Sequence, residues 1–420
     1  MRRAFSIPAF VTALAMAAGA ATAQPSAPSP AGPVIQDPAE YKAYMLALNT
    51  GDPGAKAGAM EAFVARFPGS IVKIDALEQA MAAYQQANNA AKLEAVARRI
   101  LAIQPDAERP RAVVVALVRA RATAASDPQA SLALADQAAA DALHGLAGLP
   151  AWLKADGVSD ADKVRARDQM TAIFNGALGY RSLTHKDYVA AKSFYIAALK
   201  AEPDDLSNAY QLAIADLQSR PVDPAGFWWA ARAYDLAGAG KNGAAQTGIA
   251  AFARPSYHNY HGGDDGWDQI VAGAATLAAP PVGFTVAPAP TPAEIAVKAV
   301  ADNDPKTMSF SDWEFVLALR DASPANRGAA DRVWAAIEAL QANNVKLKLQ
   351  VKVIAATTNG FDGALTDENQ KADHADLRVT LTTPSAKPLS PGALISVVGR
   401  LTGYTPQPFR FTFASGELTP

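Results

Sequence analysis

Cysteine is absent from the 420-residue sequence. Its absence excludes disulfide bonds, thiolate metal sites, cysteine nucleophiles and lipid attachment at a cysteine. Charged residues are also sparse, at 19% of the chain, and the formal net charge is only −2. Because half of the residues are hydrophobic, the composition still excludes wholesale disorder.

Long hydrophobic runs are missing beyond the N-terminal segment. Residues 1–23 combine Arg2 and Arg3 with an apolar run from Phe10 to Ala21. This order is typical of a secretory signal peptide, and the small residues at its end predict cleavage after Ala23. The run is too short and too rich in alanine for a membrane anchor. We therefore expect an exported, periplasmic protein of a Gram-negative bacterium with no membrane span. Export could follow either the general or the twin-arginine route.

Composition divides the rest of the chain into four stretches. Residues 24–36 are rich in Pro, Ser and Ala and predict a disordered leader. Residues 37–279 are alanine-rich with helical periodicity and predict a helical repeat domain. Residues 280–292 are proline-rich and uncharged, which is typical of an extended linker. Residues 293–420 predict short helices followed by alternating strands.

The helical stretch contains an internal repeat, which is clearest in the 34 residues from Ala172 to Asp205. Small residues at positions 8, 20 and 27 would let two helices approach closely, an aromatic residue at position 24 would fill the gap, and a proline would end the second helix. The residues concerned are Leu178, Gly179, Ala191, Tyr195, Ala198 and Pro203.

Further copies of this unit flank the clearest one. The next 34 residues keep the pattern in Leu212, Ala213, Ala225 and Trp229. Weaker copies end at Pro68 and Pro105, which lie 37 residues apart, and another helix pair is predicted between residues 111 and 148. These units favour a helical solenoid over an irregular α-domain, although alanine-rich helices mimic repeat positions easily.

The C-terminal stretch begins with two helical signals. Residues 311–314 (Ser-Asp-Trp-Glu) match a capping box, with Phe310 and Phe315 placed for a hydrophobic staple. Ser323 followed by Pro324 predicts the start of the next helix. Five alternating segments then predict strands, and the turn before the last is placed at residues 403–406. The strands are expected over residues 345–353, 361–365, 377–381, 395–401 and 409–413. Five strands in a small unit suggest an OB-like barrel.

Taken together, these segments resemble exported bacterial tetratricopeptide-repeat (TPR) proteins whose C-terminal domain is similar to the tRNA-anticodon-binding-like OB fold. The resemblance is carried by the repeats, by Tyr260-His261-Gly262 before the proline-rich stretch, and by residues 402–409 (Thr-Gly-Tyr-Thr-Pro-Gln-Pro-Phe). It implies a multi-domain chain, with an α-helical TPR-like solenoid followed by a small β OB-like barrel with preceding helices. It also implies a binding or scaffold protein, and it supplies no catalytic residue and no cofactor.

The same resemblance predicts a concave groove formed by the first helix of each repeat. Groove-facing residues of the family occupy set positions in that helix, and a protein or peptide partner is expected to bind there. In this sequence those positions point to Ile173, Tyr180, Leu183, Ser207, Tyr210 and Ile214. The identity of the partner and the oligomeric state carry no sequence signal.

A rival hypothesis concerns the histidines His258 and His261. Two histidines three residues apart share a helix face, and with Asp264 and Asp265 they suggest a metal-dependent binder or enzyme. The plainer interpretation is a helix junction, in which the glycines after His261 turn the chain and one of the aspartates caps a helix starting near Gly266. No metal site is predicted, because nothing encloses a ligand set.

OB folds commonly bind oligonucleotides or oligosaccharides, which is a third hypothesis. Lys346, Lys348 and Lys352 line one strand face. However, residues 293–420 contain 13 Lys plus Arg against 14 Asp plus Glu, so they lack the basic excess that a polyanion needs. The phenylalanines at 409, 411 and 413 are expected to fill the barrel rather than to stack on bases. No nucleic acid partner is predicted.

Overall fold

The protein is represented by a computed structural model that describes residues 34–152, 160–385 and 389–419. The chain divides into two compact units between Ala287 and Pro288, within the proline-rich stretch. The predicted signal peptide, residues 1–23, and most of the predicted leader lie outside the described residues.

The first unit is helical. Asp or Asn side chains start many of its helices: the carboxylates of Asp52, Asp187 and Asp205 each accept a hydrogen bond from a backbone N–H of the first turn. The described helices are α1 Pro38–Leu48, α2 Pro53–Arg66, α3 Lys73–Gln86, α4 Ala90–Ile103, α5 Glu108–Ala124, α6 Pro128–Trp152, α7 Asp160–Thr184, α8 Tyr188–Ala201, α9 Leu206–Gln218, α10 Ala225–Ala239, α11 Gly243–His261 and α12 Trp267–Thr276.

These helices stack in chain order. Each helix from α1 to α10 packs against the one that follows it, while α5 also contacts α7, and α7 contacts α9. Contacts between near neighbours in sequence are typical of a solenoid. Proline follows two residues after the last residue of α2, α4 and α8, at Pro68, Pro105 and Pro203. The predicted helix ends and the predicted pair between residues 111 and 148, formed by α5 and α6, are therefore present.

The α7–α8 contact shows why small residues recur there. Ala191, Tyr195 and Ala198 of α8 are fully buried. A Cβ atom added to Gly179 of α7 would lie 2.7 Å from the Tyr195 ring, so the glycine makes room for that ring. The small residues and the aromatic residue of the clearest repeat thus lie at one helix contact.

The first part of the proline-rich stretch packs on the helical unit. The Phe284 ring lies 5.2 Å from the Trp228 ring in an edge-to-face arrangement, and Val286 is buried. The second unit then begins with the helices α13 Pro292–Asp302, α14 Phe310–Ala318 and α15 Pro324–Leu340.

Five strands complete the second unit and close into a barrel in the order β1-β2-β3-β5-β4. All pairings are antiparallel except β3 with β5, which is parallel. The strands are β1 Leu347–Thr357, β2 Gly360–Ala364, β3 Leu377–Leu381, β4 Leu394–Pro406 and β5 Phe409–Thr419, and the short helix α16 Asp367–Ala372 precedes β3. The predicted helical domain followed by a small OB-like barrel is confirmed.

The barrel core is shared with the helices before it. Phe411 and Phe413 are fully buried inside the barrel, as expected, while Phe409 is half-buried. Trp313 of α14 and Ile337 of α15 belong to the same hydrophobic cluster. The barrel therefore depends on α14 and α15 to cover its apolar residues.

Two predictions about the start of α14 are wrong, the capping residue and the hydrophobic staple. The N-cap of α14 is Ser309, not Ser311: its hydroxyl accepts a hydrogen bond from the Asp312 N–H, and the Asp312 carboxylate accepts one from the Ser309 N–H. Both serines precede an acidic residue by three positions, so the pattern alone could not choose between them. Phe310 instead packs on Trp313, with ring centroids 4.9 Å apart, and Phe315 is exposed, so the predicted staple is absent.

The predicted turn at residues 403–406 is also wrong. Strand β4 continues through these residues, and its pairing with β5 ends at Pro406 opposite Phe409. The turn consists of Gln407 and Pro408. Gly403 and Pro406 suggested a turn because both residue types are common in turns. Both types also occur within strands, and here both pair with residues of β5 near the end of the ladder.

Candidate functional surfaces

The predicted groove residues of α7 have unequal exposure. Ile173 is half-buried against the core of the N-terminal helices. Tyr180 is buried, and its hydroxyl donates to the carbonyl of Ala122 at 3.2 Å and lies 3.2 Å from the Ser131 hydroxyl. Tyr180 therefore ties α7 to α5 and α6. Leu183 is half-buried against the core of the following helices.

The predicted groove residues of α9 divide in the same way. Tyr210 is buried, and its ring packs edge-to-face on Phe252 of α11 at 5.9 Å. Ile214 is half-buried against the same core. Ser207 is half-buried, and its hydroxyl accepts a hydrogen bond from Nη2 of Arg119 at 3.2 Å.

That hydrogen bond joins α5 to α9 across α7. A Cβ atom added to Gly176 of α7 would lie 2.2 Å from Nη1 of Arg119 and 2.5 Å from Oδ1 of Asn208. The guanidinium group therefore lies where Gly176 has no side chain. We call this region, formed by Arg119, Gly176 and Ser207, the α5–α7–α9 surface. The sequence patterns did not single out Arg119, because the repeat positions carry no information about a residue of α5 that reaches α9, four helices further along the chain.

A partly buried ion cluster connects α8, α9 and the start of α10. Nζ of Lys192 lies 3.5 Å from Oδ1 of Asp216 and also contacts the Asp223 carboxylate. Asp216 is buried, and burial raises its pKa to about 7, while the Lys192 ammonium acts in the opposite direction. Asp223 also accepts a hydrogen bond from the backbone N–H of Ala225, at the start of α10. These contacts hold three helix segments together.

The two histidines of the rival hypothesis have separate partners. Nδ1 of His258 lies 3.0 Å from the Asp264 carboxylate, whereas Nδ1 of His261 lies 2.8 Å from the carbonyl oxygen of Ala287. Gly262 ends α11 in the left-handed conformation, with φ of 88°, so the predicted turn is present. The predicted aspartate cap is wrong, because α12 begins after Gly266 without a side-chain cap. Throughout the described residues, no three His, Asp or Glu side chains form a group that could hold a metal ion.

An acidic cleft lies between α3, the α4–α5 connection, α5 and the end of α6. Its volume is about 460 Å³, and its lining includes Glu78, Pro105, Asp106, Glu108, Arg109 and Trp152. Glu108, the first residue of α5, is only 2% exposed, and its Oε2 has no hydrogen-bond partner among the described residues. The nearest cation, Arg111, lies 3.5 Å away through Nε.

Burial controls the ionisation of this cleft. It raises the pKa of Glu108 to about 7, while the charge of Arg111 acts to lower it and that of Asp106 to raise it further. Burial also raises the pKa of Glu78, which the charge of Arg109 partly opposes. Two carboxyl groups that resist ionisation in one cleft mark it as a candidate binding site.

Several basic side chains on the barrel surface are paired with acids. Asp362 accepts hydrogen bonds from both Arg378 and Arg410, at 2.9 Å and 3.1 Å respectively. Lys346 pairs with Glu417, and Lys352 pairs with Asp373, each at 2.7 Å. Two of the three lysines of this face are therefore paired with acids, whereas Lys348 is exposed, so the face offers a polyanion little excess positive charge.

None of the helices within the described ranges is long and apolar enough to cross a bilayer. No protein-family model matches the chain, and the search of curated proteins found no significant match.

Proposed function

We propose that the protein is a non-enzymatic, exported interaction protein of the periplasm. Its TPR-like helical unit binds a peptide or protein partner through the α5–α7–α9 surface, and its OB-like barrel is an accessory module. The observation that carries the proposal is the Arg119–Ser207 hydrogen bond across Gly176. It links the alternate helices α5, α7 and α9 along one face of the stack. A continuous face of this kind is what helical repeats use to bind extended ligands.

The burial of the groove residues refines which of them would contact a partner. Tyr180 and Tyr210 are packed between helices and would set the shape of the surface. The half-buried residues Ile173, Leu183 and Ile214 would offer apolar contacts. Arg119 would supply the polar contact that orients the ligand, since a guanidinium group can bind a carboxylate or a backbone carbonyl.

Capture from an envelope extract tests this function. The mature chain and its Arg119→Ala variant are immobilised, and the proteins that each retains are identified and quantified. We expect the variant to retain at least about tenfold less of its partner. The reason is that it lacks the guanidinium group that would donate a charged hydrogen bond to the partner at the centre of this surface. Arg327→Ala, which removes an exposed arginine of α15 in the other unit, serves as the matched control. Equal retention by all three proteins would reject the α5–α7–α9 surface.

Export is tested separately. Sequencing the N-terminus of the protein recovered from the periplasm should give Gln24, since the predicted cleavage follows Ala23. Recovery of a chain that keeps Met1 in the cytoplasmic fraction would contradict the proposed location. It would not test the proposed binding surface.

A further inference from the structure

We propose that the cleft lined by Glu78, Glu108 and Trp152 binds an alkylammonium group, carried either by a free diamine or by a lysine side chain of a peptide. Glu108 begins α5, and Arg119 of the α5–α7–α9 surface lies near the other end of the same helix. The proposal is therefore independent of the proposed partner-binding function.

Charge selects a cation for this cleft. Among the described residues of its lining, three are acidic, Glu78, Asp106 and Glu108, and only Arg109 is basic. The other nearby cation, Arg111, uses its Nη2 to donate to the carbonyl oxygen of Pro105. A cation would therefore meet more carboxyl groups than guanidinium groups in this lining, which disfavours an anionic ligand.

The polar atoms of Glu108 indicate where the cation would bind. Its carboxyl group is almost fully buried, yet Oε2 makes no hydrogen bond within the described residues. On the other side, α6 approaches so closely that a Cβ atom on Gly148 would lie 1.7 Å from Oε1. Oε2 thus lies 3.5 Å from Nε of Arg111 but makes no hydrogen bond within the described residues, and an ammonium donor would supply that bond.

Shape and composition favour an organic cation over a metal ion. No group of three acidic or histidine side chains suitable for a metal occurs within the described ranges. Trp152 is half-buried at the cleft and presents an aromatic ring, to which an ammonium group is attracted. Pro105 and Pro110 add apolar surface for methylene groups. The volume of about 460 Å³ accommodates a short alkyl chain.

Calorimetric titration of the full mature chain tests the proposal with three probes. These are 1,5-diaminopentane, lysine capped at both ends, and norleucine capped in the same way, which lacks the ammonium group. We expect a cationic probe to bind at least about tenfold more tightly than capped norleucine. Binding of the diamine alone would assign the site to a free amine, and binding of capped lysine would assign it to a peptide side chain.

Substitutions then locate the site. Glu108→Gln and Trp152→Leu should each weaken binding of the cationic probe at least about tenfold, and Asp268→Asn, at an exposed position of α12, should leave it unchanged. Circular dichroism establishes whether each variant is folded. If Glu108→Gln does not fold, Glu78→Gln and Trp152→Leu decide the question.

Proton release gives an independent readout. A bound cation favours the carboxylate of Glu108, so binding near pH 7 should release protons, which appears as a dependence of the heat on the ionisation enthalpy of the buffer. Among the described residues, the groups that face Glu108 are Glu78 from α3, Asp106 from the connection, Arg109 and Arg111 from α5, and the uncharged Gly148 and Trp152 from α6. Absence of binding by both cationic probes, or equal binding by the Glu108→Gln and Trp152→Leu variants, would overturn the proposal.

Discussion

Glu108 shows at the scale of one residue how burial governs charge. The carboxyl group is 2% exposed, and burial raises its pKa from 4.5 to about 7. Below about pH 4.5 the group is protonated in both the folded and the unfolded chain. As the pH rises towards 7, only the unfolded chain ionises freely, so the contribution of this group to stability is lost over that interval.

The Glu108→Gln variant should therefore change how stability depends on pH. We expect it to match the parent near pH 4.5 and to exceed it above pH 7 by up to about 3 kcal/mol, because the uncharged amide avoids ionisation in the cleft. Urea unfolding of both proteins across this range measures the difference. Asp268→Asn, at an exposed position of α12, is the matched control. A Glu108→Gln curve that runs parallel to the parent would contradict the assignment.

A second prediction at this scale concerns the glycine at the α7–α8 contact. Gly179→Ala should lower the free energy of unfolding by about 1–3 kcal/mol, since the added Cβ atom would meet the Tyr195 ring at 2.7 Å. Gly248→Ala in α11 meets no atom within 4 Å and should stabilise the helix by about 0.5–1 kcal/mol. Thermal unfolding compares the two. If both substitutions stabilise the protein, the Tyr195 ring does not pack closely against Gly179.

Single elements in the second unit depend on their caps. Helix α14 begins with the reciprocal hydrogen bonds of Ser309 and Asp312, while α13 begins with the same arrangement between Thr291 and Glu294. Each of these boxes satisfies backbone donors that would otherwise lack a partner at a helix start. The short α14 also carries Trp313 into the barrel core, so its position matters to the whole unit.

Comparing two neighbouring serines tests the start of α14. Ser309→Ala should cost about 1 kcal/mol of stability, because it removes the acceptor for the Asp312 N–H. Ser311→Ala changes an exposed residue inside the first turn and should stay within about 0.5 kcal/mol of the parent. Chemical unfolding of the unit measures both. A larger loss for Ser311→Ala would place the helix start where the sequence pattern put it.

On the scale of the whole molecule, the chain consists of two compact units with separate cores. The barrel and its helices share one hydrophobic cluster, in which Leu349 and Phe411 of the strands meet Trp313 and Ile337 of the helices. The helical unit has its own clusters. A unit with its own core is expected to fold alone.

A fragment of residues 288–420 should therefore be soluble and unfold in one cooperative transition. A fragment of residues 345–420 keeps all five strands but loses α14 and α15, and it should not unfold cooperatively, since the apolar residues that those helices cover would be exposed. Circular dichroism melting of the two fragments distinguishes these outcomes. Cooperative unfolding of the shorter fragment would show that the helices are dispensable.

Local sequence patterns determined most of the elements of this protein. Prolines such as Pro105 end helices because they lack an N–H donor, and the alternation around Val351 places successive side chains on opposite faces of a strand. These properties depend on neighbours along the chain. The helical repeats and the five strands could therefore be predicted before any contact was known.

Only the tertiary structure decided what each surface residue does. Repeat positions placed Tyr180 and Tyr210 in the groove, but the packing of adjacent helices buries both. The patterns did not indicate that Arg119 reaches Ser207, or that the carboxyl group of Glu108 lies buried against α6. The physical reason is that exposure, hydrogen bonding across helices and desolvation depend on residues distant in the sequence, which come together only when the helices pack.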